Sequence, residues 1–308
     1  MSELAIILVN YKRPQDTIDC IASLLASDYS DFNIIVVDNA SGDGSVEQLR
    51  QAYPSVTILS SEENVGFAEG NNIGVREALS SSCRYVLLLN NDTVVDKRAL
   101  RELMAAMHRS PEAGIVGAKI YYFDKPRVLW YAGGFFGEHS SFGGHFGIGE
   151  EDAGQYDAAR SCTLITGCCL LCRREVFERI GLLDSDYFAY LEDADFCVRA
   201  MRSGYVLLYW PDAIVSHKVS STSAWDSPVY IYFTLRNKLL YLRKNSSIRQ
   251  WLPYLPVLIY FYVRQLVRLS MKRRDPQKTK AAWFGLIDGL RNNIGTFGRG
   301  RIDQLKKQ

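Results

Sequence analysis

Tyr85-Val-Leu-Leu-Leu-Asn-Asn-Asp-Thr93 is the stretch of sequence that decides the fold. Its apolar half, Tyr85 to Leu89, predicts a strand buried on both faces, which is typical of a parallel sheet covered by helices on both sides. Asn90, Asn91 and Asp92 follow where that strand would end, and open α/β sheets bind ligands outside the carboxyl ends of their strands. A carboxylate there can hold a divalent cation that in turn holds a diphosphate. A plain polar turn is the alternative, because Asn and Asp are frequent in turns.

Three further buried strands precede this one, and the stretches between them have helical character. They are predicted at Leu4–Val9, Ile34–Val37 and Val56–Leu59, with a helix beginning near Pro14. This alternation predicts an α/β fold with a mostly parallel, doubly wound (Rossmann-like) sheet. No Gly-x-Gly-x-x-Gly follows the first strand, so a nicotinamide or flavin enzyme is not expected.

The second half of the chain is less regular. The sequence predicts a helix over 97–109, a strand near 114–121, a strand over 163–171, a helix over 173–180 and a strand over 205–209 that ends in a turn at 210–212. The glycine-rich segment 133–149 has neither helical nor strand periodicity, so we expect a long loop that is functional or mobile. It contains His139 and His145, which we interpret as surface contacts and leave out of the predicted site.

Acidic residues are concentrated between Asp186 and Arg199. Acids are favoured at a helix N-terminus, and this structural role is our interpretation of Asp195. Asp193 lies close in sequence to several aromatic residues, and partial burial among them would raise the pKa of its carboxyl and suit it to act as a general base. His217 follows a short apolar segment, where a neutral imidazole could bind a metal ion.

Seven cysteines, mostly within apolar runs, and the lack of an apolar N-terminal signal segment predict a reducing, cytoplasmic location. Cys168, Cys169 and Cys172 include a Cys-x-x-Cys spacing, which is half of a zinc site. Because no second pair follows nearby, we interpret them as small buried apolar residues.

The C-terminal segment differs from the rest in charge. Residues 246–308 contain 13 Lys or Arg and 3 Asp or Glu, whereas residues 1–245 contain 23 and 31. We therefore predict two units, 1–245 and a basic, amphipathic, helical segment 246–308, and an anionic surface as the partner of the second. Nucleic acid is not expected, because no recognition motif accompanies the charge.

Trp251–Val263 is an uncharged run that would span about 20 Å as a helix, too short for a hydrocarbon core of about 30 Å. Apolar residues beyond it are expected on one face, and basic residues Arg264, Arg268 and Lys272 on another. The apolar set is Leu255, Leu258, Ile259, Tyr262, Leu266 and Leu269. Such a helix suits an anionic membrane surface, and the alternative is a helix packed on the rest of the chain with a solvated basic face.

Taken in order, these motifs resemble family 2 inverting glycosyltransferases of the GT-A fold, most closely the rhamnosyltransferase-like branch. The resemblance covers residues 4–245. The matching motifs are Val9-Asn10-Tyr11, Val36-Val-Asp-Asn-Ala-Ser41, Asn64-Val-Gly-Phe67, Asn71-Asn72, Leu88-Leu-Asn-Asn-Asp92, Gly167, Arg173-Arg-Glu-Val-Phe177, Tyr190-Leu-Glu-Asp-Ala-Asp195, Arg199, Gly204-Tyr205, and His217 with the serines after it.

The resemblance implies a role for each matching residue. Asp38 would recognise the base or ribose of a nucleotide-sugar, and the nucleotide pocket would be lined by Asn10, Tyr11, Asn64, Gly66 and Asn91. Asp92 would bind Mg²⁺ or Mn²⁺, and His217 would complete the metal shell. Asp193 would be the catalytic base. Asn90 stands where the family has the first carboxylate of its Asp-x-Asp motif, and an amide oxygen is the weaker ligand.

The implied activity is the transfer of a sugar, in the first instance L-rhamnose from dTDP-L-rhamnose, to a hydroxyl of a cell-surface glycan or polyprenyl-linked acceptor. The cation would neutralise the leaving diphosphate while the base takes the proton of the hydroxyl in one displacement. The enzyme would lie peripherally on the inner face of the plasma membrane. Two alternatives stay open: a UDP-sugar-dependent hexosyl- or N-acetylhexosaminyltransferase, and a non-catalytic sugar-nucleotide-binding scaffold.

Overall fold

The structure, a computed structural model, describes residues 2–219, 227–272 and 275–294. The serines quoted after His217, the basic residues Arg273 and Arg274, and the C-terminal part of the predicted basic segment lie outside the described residues.

Twelve strands and ten α-helices are present in these ranges. The strands are β1 (Leu4–Asn10), β2 (Phe32–Asp38), β3 (Thr57–Ser60), β4 (Tyr85–Asn90), β5 (Thr93–Val95), β6 (Ala113–Tyr122), β7 (Lys125–Tyr131), β8 (Gly134–Phe136), β9 (Gly143–His145), β10 (Arg160–Cys162), β11 (Cys169–Arg173) and β12 (Val206–His217). The helices are α1 (Pro14–Leu25), α2 (Ser45–Ala52), α3 (Gly66–Ser80), α4 (Ala99–Arg109), α5 (Arg174–Ile180), α6 (Glu192–Arg202), α7 (Pro228–Asn245), α8 (Ile248–Trp251), α9 (Leu255–Val267) and α10 (Pro276–Arg291).

The main sheet has the mixed, mostly parallel topology that the alternating sequence predicts. Its strands lie in the order β10, β12, β6, β11, β4, β1, β2, β3. Strands β4, β1, β2 and β3 are parallel, and most side chains of β4, β1 and β2 are buried because helices cover both faces. The prediction of a buried strand at Val56–Leu59 is wrong about burial, because β3 is the edge strand and its side chains are partly or fully exposed. β11 lies antiparallel between β4 and β6, while β12 runs parallel to β6. The α/β prediction is confirmed, and the carboxyl ends of β1, β2 and β4 share one edge.

Three sequence predictions about local structure are wrong. The predicted strand over 163–171 is a strand only from Cys169, where β11 begins. Residues 163–168 form an irregular, mostly buried segment between β10 and β11, because burial alone does not separate a strand from a buried turn. The predicted turn at 210–212 lies inside β12, which accommodates Pro211 at a bulge between Trp210 and Ile214. Segment 133–149 contains the hairpin of β8 and β9, whose strands are too short to show alternation.

The C-terminal helices pack directly on α7. The Tyr232 hydroxyl of α7 donates a hydrogen bond to Asp288 of α10, and the Tyr262 hydroxyl of α9 donates to the carbonyl of Leu235. Gly285 lies so close to α7 that a Cβ there would be 2.6 Å from the carbonyl oxygen of Tyr232. The division into units 1–245 and 246–308 stays a prediction.

The predicted apolar face of α9 is only partly correct. Leu258, Tyr262 and Leu269 are buried, but Ile259 is 54% exposed. The predicted apolar face covers more of the helix circumference than the part that packs against α7 and α10. No helix in residues 2–219, 227–272 and 275–294 is both long and apolar enough to cross a bilayer. All seven cysteines are buried and free, so the interpretation of Cys168, Cys169 and Cys172 as buried apolar residues is confirmed.

Candidate active site

Two cavities meet at the carboxyl edge of the parallel strands. The smaller has a volume of about 230 Å³ and the larger a volume of about 540 Å³. Asn90 and Phe67 line both and so mark the boundary between them. The smaller cavity is lined by Val9, Tyr11, Arg13, Asn39, Asn64, Gly66, Asn91, Asp92 and Phe188 as well.

Backbone shape rather than side-chain bulk forms one wall of the smaller cavity. Gly66 has a φ of +86°, and a Cβ there would lie 2.5 Å from the carbonyl oxygen of Phe188, so a larger residue cannot be accommodated. Asn64 accepts hydrogen bonds from the Gly66 amide (3.0 Å) and from the Asn39 side chain (3.1 Å). These contacts hold the loop between β3 and α3 against β2.

Asn10 and Asp38 lie beneath this cavity and do not line it. The Asp38 carboxylate accepts hydrogen bonds from Asn10 Nδ2 (2.7 Å), Ser41 Oγ (2.5 Å) and the Ser41 amide (3.0 Å). Thr17 joins this network to the cavity, because it donates to Asn10 Oδ1 and accepts a hydrogen bond from Asn91. The structure therefore separates two predicted nucleotide-binding residues from Tyr11, Asn64, Gly66, Asn91 and Asp92, which do line the cavity.

Asp92 and His217 meet at the boundary of the two cavities. The β5–β12 pairing sets His217 opposite Thr93 and brings its Nε2 to 3.0 Å from Asp92 Oδ1. Asn90 Nδ2 lies 3.5 Å from the same nitrogen. Trp130 contacts the His217 ring edge to face, with ring centres 4.6 Å apart. One carboxylate oxygen and one imidazole nitrogen therefore converge on a single point.

The donor atoms at this point fit a divalent cation. Asp92 Oδ1 and His217 Nε2 are atom types that bind such an ion, and the buried Asn90 Oδ1 has no hydrogen-bond partner among the described residues. The described residues contain no group of three His, Cys, Asp or Glu that could form a metal site on its own. Asp92 and His217 could therefore supply only part of the ligands of such an ion, and substrate and water would have to supply the rest.

Asp193 and Glu192 are on the first turn of α6 and line the larger cavity. Burial raises the pKa of both carboxyls, and the charge of Asp193 raises that of Glu192 further. The Gly167 amide donates to Asp193 Oδ2 (2.9 Å), which favours the ionised form, whereas Glu192 Oε2 has no hydrogen-bond partner among the described residues. Burial is thus opposed at Asp193 by the Gly167 amide, whereas at Glu192 it is reinforced by the charge of Asp193, so the pKa of Glu192 is raised well above its usual range.

Asp195 is on the same helix but is not part of the cavity. Its buried carboxylate accepts hydrogen bonds from Arg199 Nε and Asn245 Nδ2, both at 2.7 Å. These contacts agree with the structural role that the sequence predicts for it.

The segment before α6 has an unusual backbone. Phe188, Tyr190 and Leu191 all have positive φ angles, between +65° and +71°, which is rare for residues with side chains. The buried Asn237 side chain donates to the carbonyls of Tyr187 (3.0 Å), Ala189 (2.8 Å) and Tyr190 (2.6 Å). Helix α7 therefore holds in place the turn that leads into Asp193.

Several residues of the larger cavity were not predicted from the sequence. His145 was interpreted as a surface contact, but it lies partly buried in the cavity wall against Trp130 and Tyr131, and removal from water lowers its pKa to about 4. The hairpin that carries it gives no periodic signal. Tyr230, Thr234 and Lys238 of α7 also line the cavity. Their spacing of four residues is a helical signal that could have been recognised.

Comparisons with known proteins identify the family. The sequence model described as Glycosyl transferase family 2 matches residues 5–181. The Low-salt glycan biosynthesis hexosyltransferase Agl10 of Haloferax volcanii is 28% identical over 96% of this chain and 93% of its own length. The dTDP-rhamnosyl transferase RfbF of Shigella flexneri is 23% identical over 88% of this chain and 89% of its own length. The N-acetylglucosaminyl-diphospho-decaprenol L-rhamnosyltransferase of Mycobacterium tuberculosis is 24% identical over 79% of this chain and 85% of its own length.

Solved structures agree on the fold. A mannosyltransferase of Pyrobaculum calidifontis, in complex with GDP-Man and Mn²⁺, superposes with a TM-score of 0.61 at 14% identity over 94% of this chain and 88% of its own. TarS 1-349 of S. aureus superposes with a TM-score of 0.60 at 14% identity over 94% of this chain and 81% of its own. The chain belongs to glycosyltransferase family 2, and it is a rhamnosyltransferase-like enzyme with the GT-A fold.

Proposed function

We propose that this enzyme transfers L-rhamnose from dTDP-L-rhamnose to a hydroxyl of a cell-surface glycan or lipid-linked acceptor, in a single displacement that inverts the anomeric centre. The observation that carries the proposal is the position of Asp92 and His217, which lie at the boundary between a cavity suited to a nucleotide and a cavity that contains Asp193. A donor bound across this boundary would have its reacting carbon between the two groups.

The smaller cavity is the proposed nucleotide site. Tyr11, Asn64, Gly66 and Asn91 would contact the nucleotide directly, whereas Asn10 and Asp38 would act from beneath by fixing the loop after β2. The relative from Shigella flexneri is named as a dTDP-rhamnosyl transferase, which favours a dTDP-sugar. A second fold neighbour, TarS 1-349 in complex with UDP-GlcNAc, makes a UDP-sugar the alternative donor.

Asp92 and His217 would hold Mg²⁺ or Mn²⁺, and Asn90 would supply at most a weak amide ligand. When bound, the ion would neutralise the negative charge that develops on the leaving diphosphate. The fold neighbour from Pyrobaculum calidifontis was solved in complex with GDP-Man and Mn²⁺, which supports a divalent cation as the cofactor of this enzyme. Asp92 itself lines the nucleotide cavity and so orients the diphosphate end of the donor.

Asp193 is the proposed general base. An acceptor hydroxyl is a weak nucleophile until a carboxylate takes its proton in the transition state. The Gly167 amide fixes one oxygen of Asp193, and the carboxylate lies in the cavity wall where an acceptor would bind. A single displacement requires one such base and no second carboxylate nucleophile.

A panel of nucleotide sugars tests the donor assignment. Thermal unfolding would be measured with dTDP-rhamnose, UDP-glucose, UDP-N-acetylglucosamine and GDP-mannose, each with and without Mn²⁺. We expect the largest stabilisation with dTDP-rhamnose and a clear increase with the ion. Stabilisation by a UDP-sugar alone would favour a UDP-sugar as the donor. The absence of stabilisation by any of the four nucleotide sugars would overturn the proposal.

We also propose that the outward side of α9 contacts an anionic membrane. It carries exposed apolar residues next to the exposed Arg264 and Arg268, a combination suited to a membrane interface. The exposed apolar residues are Val257, Ile259, Tyr260, Val263, Val267 and Met271.

Vesicle co-sedimentation tests this contact. The parent should bind vesicles that contain anionic lipid, and binding should weaken at high salt. Tyr260→Asp with Val263→Asp should release it, whereas the control Leu25→Asp, at an exposed position on α1, should not. Salt-independent binding, or equal loss in both variants, would contradict the proposal.

A further inference from the structure

Helix α7 forms one wall of the larger cavity, beyond the residues that the family model matches. Tyr230, Thr234 and Lys238 are spaced by four residues, so they lie on one face of the helix, and all three line the cavity. The same cavity contains Asp193. A basic residue and two hydroxyl-bearing residues are thus placed in the space that an acceptor would occupy.

Lys238 differs in its ionic contacts from three other lysines. Lys119, Lys218 and Lys244 each lie within ion-pair distance of two carboxylates. In the described part of the chain Lys238 has no carboxylate partner, and burial lowers its pKa to about 8 with no opposing charge. A largely desolvated ammonium group with no carboxylate within ion-pair distance is costly unless a ligand supplies the negative charge.

The surroundings of Lys238 leave room for such a ligand. Its ammonium donates one hydrogen bond, to the carbonyl of Ser141, out of the three it can make. The Phe142 and Phe261 rings lie 4.5 and 5.4 Å from the ammonium nitrogen. Aromatic rings stabilise the cation without neutralising it, so it retains its affinity for an anion.

We propose that Lys238 binds a phosphate group attached to the acceptor sugar, while Asp193 faces the acceptor hydroxyl. This inference rests on the proposed function. The donor diphosphate is not the candidate, because Lys238 does not line the cavity that contains Tyr11, Asn91 and Asp92. A lipid-linked phosphate is favoured because Phe261, which contacts Lys238, belongs to α9, the helix whose outward side is apolar and basic.

Transfer to three acceptors with the same sugar and alkyl chain tests the inference. One would carry a diphosphate between the sugar and the alkyl chain, one would be the neutral alkyl glycoside, and one would carry a carboxylate in place of the diphosphate. The variants are Lys238→Met, which retains most of the apolar stem, and Lys238→Arg, which retains the charge. Lys244→Met is the matched control, because Lys244 is on the same helix but pairs with Asp184 and Asp186.

We expect Lys238→Met to raise the KM for the diphosphate acceptor about 10- to 100-fold and to change that for the neutral glycoside less than about 2-fold. Lys238→Arg should restore most of the loss, and Lys244→Met should match the parent. An equal loss with all acceptors, no loss with any, or a loss confined to the carboxylate acceptor would overturn the inference.

Hydrolysis of the nucleotide sugar, measured without acceptor, separates this inference from the proposed function. A parent enzyme that cleaves no nucleotide sugar and transfers to no acceptor would refute both. If the parent enzyme transfers normally but Lys238→Met loses no more activity with the diphosphate acceptor than with the neutral glycoside, only the acceptor-phosphate site is refuted.

Discussion

The imidazole Nε2 of His217 lies 3.0 Å from Oδ1 of Asp92, although the two residues are 125 positions apart in the chain. Pairing of β12 with β5 produces this contact, because it sets His217 beside the residue that follows Asp92. Both side chains are almost completely buried, yet each lines one of the two cavities. The contact therefore joins the proposed nucleotide site to the proposed acceptor site.

Asp193→Asn should lower the turnover number about 10²- to 10⁴-fold, because the amide cannot accept the proton of the acceptor hydroxyl. Nucleotide binding should be nearly unchanged, since Asp193 lies outside the smaller cavity. Steady-state transfer and calorimetric binding measure the two effects. The exposed Asp212→Asn serves as the control for loss of one carboxylate. Turnover at the parent rate in Asp193→Asn would remove Asp193 from the mechanism.

The turnover number should fall at acidic pH, and the midpoint of this fall should lie above the ordinary pKa of an aspartate, about 3.9. Burial raises the pKa of Asp193, and only the ionised form is a base, so the turnover number should rise as the pH rises through that raised pKa. The profile would be measured at saturating donor, acceptor and Mn²⁺, with nucleotide binding followed over the same range. A turnover number that stays constant down to pH 4 is the contrary result.

Glu192→Gln should alter how stability depends on pH. Burial raises the pKa of Glu192 well above its usual range, so the stability linked to its proton is complete below the unfolded pKa of about 4.3 and is lost as the pH rises through the folded pKa. Between those values the parent should lose about 1.4 kcal/mol per pH unit relative to Glu192→Gln. Urea unfolding at several pH values measures the difference, and parallel curves would contradict the prediction.

Asn237→Ala should destabilise the protein by about 1–3 kcal/mol, because it removes the side-chain donor from the carbonyls of Ala189 and Tyr190. The turnover number should fall more than the KM for the donor changes, since the turn that leads into Asp193 loses its support. Urea unfolding and steady-state kinetics measure both quantities, with the exposed Asn33→Ala as control. A destabilised variant with the parent turnover number would give Asn237 a purely stabilising role.

The sequence predicted the parallel half of the fold because its strands are long, unbroken apolar runs that end in polar residues. The same pattern placed Asp92 at a strand end, where it is found. Single residues were harder to place: Asp38 follows β2 as predicted, but its carboxylate is bound by Asn10 and Ser41 beneath the cavity.

Contacts between distant parts of the chain were not predictable from local pattern. The position of His145 depends on a hairpin with strands of three residues, and the position of Lys238 depends on how α7 packs against that hairpin. Apolar periodicity located α9 but not its orientation, so it placed Ile259 on the buried side. Each of these positions is determined by tertiary packing, which the periodicity of a single segment does not encode.

Binding of dTDP in the presence and absence of Mn²⁺, measured by calorimetry on the parent, Asp92→Ala, His217→Ala and the double variant, tests the central claim most directly. If both side chains hold one cation, Mn²⁺ should strengthen binding to the parent, each single variant should lose most of that gain, and the double variant should lose little more. An undiminished Mn²⁺ effect in either single variant would contradict the account.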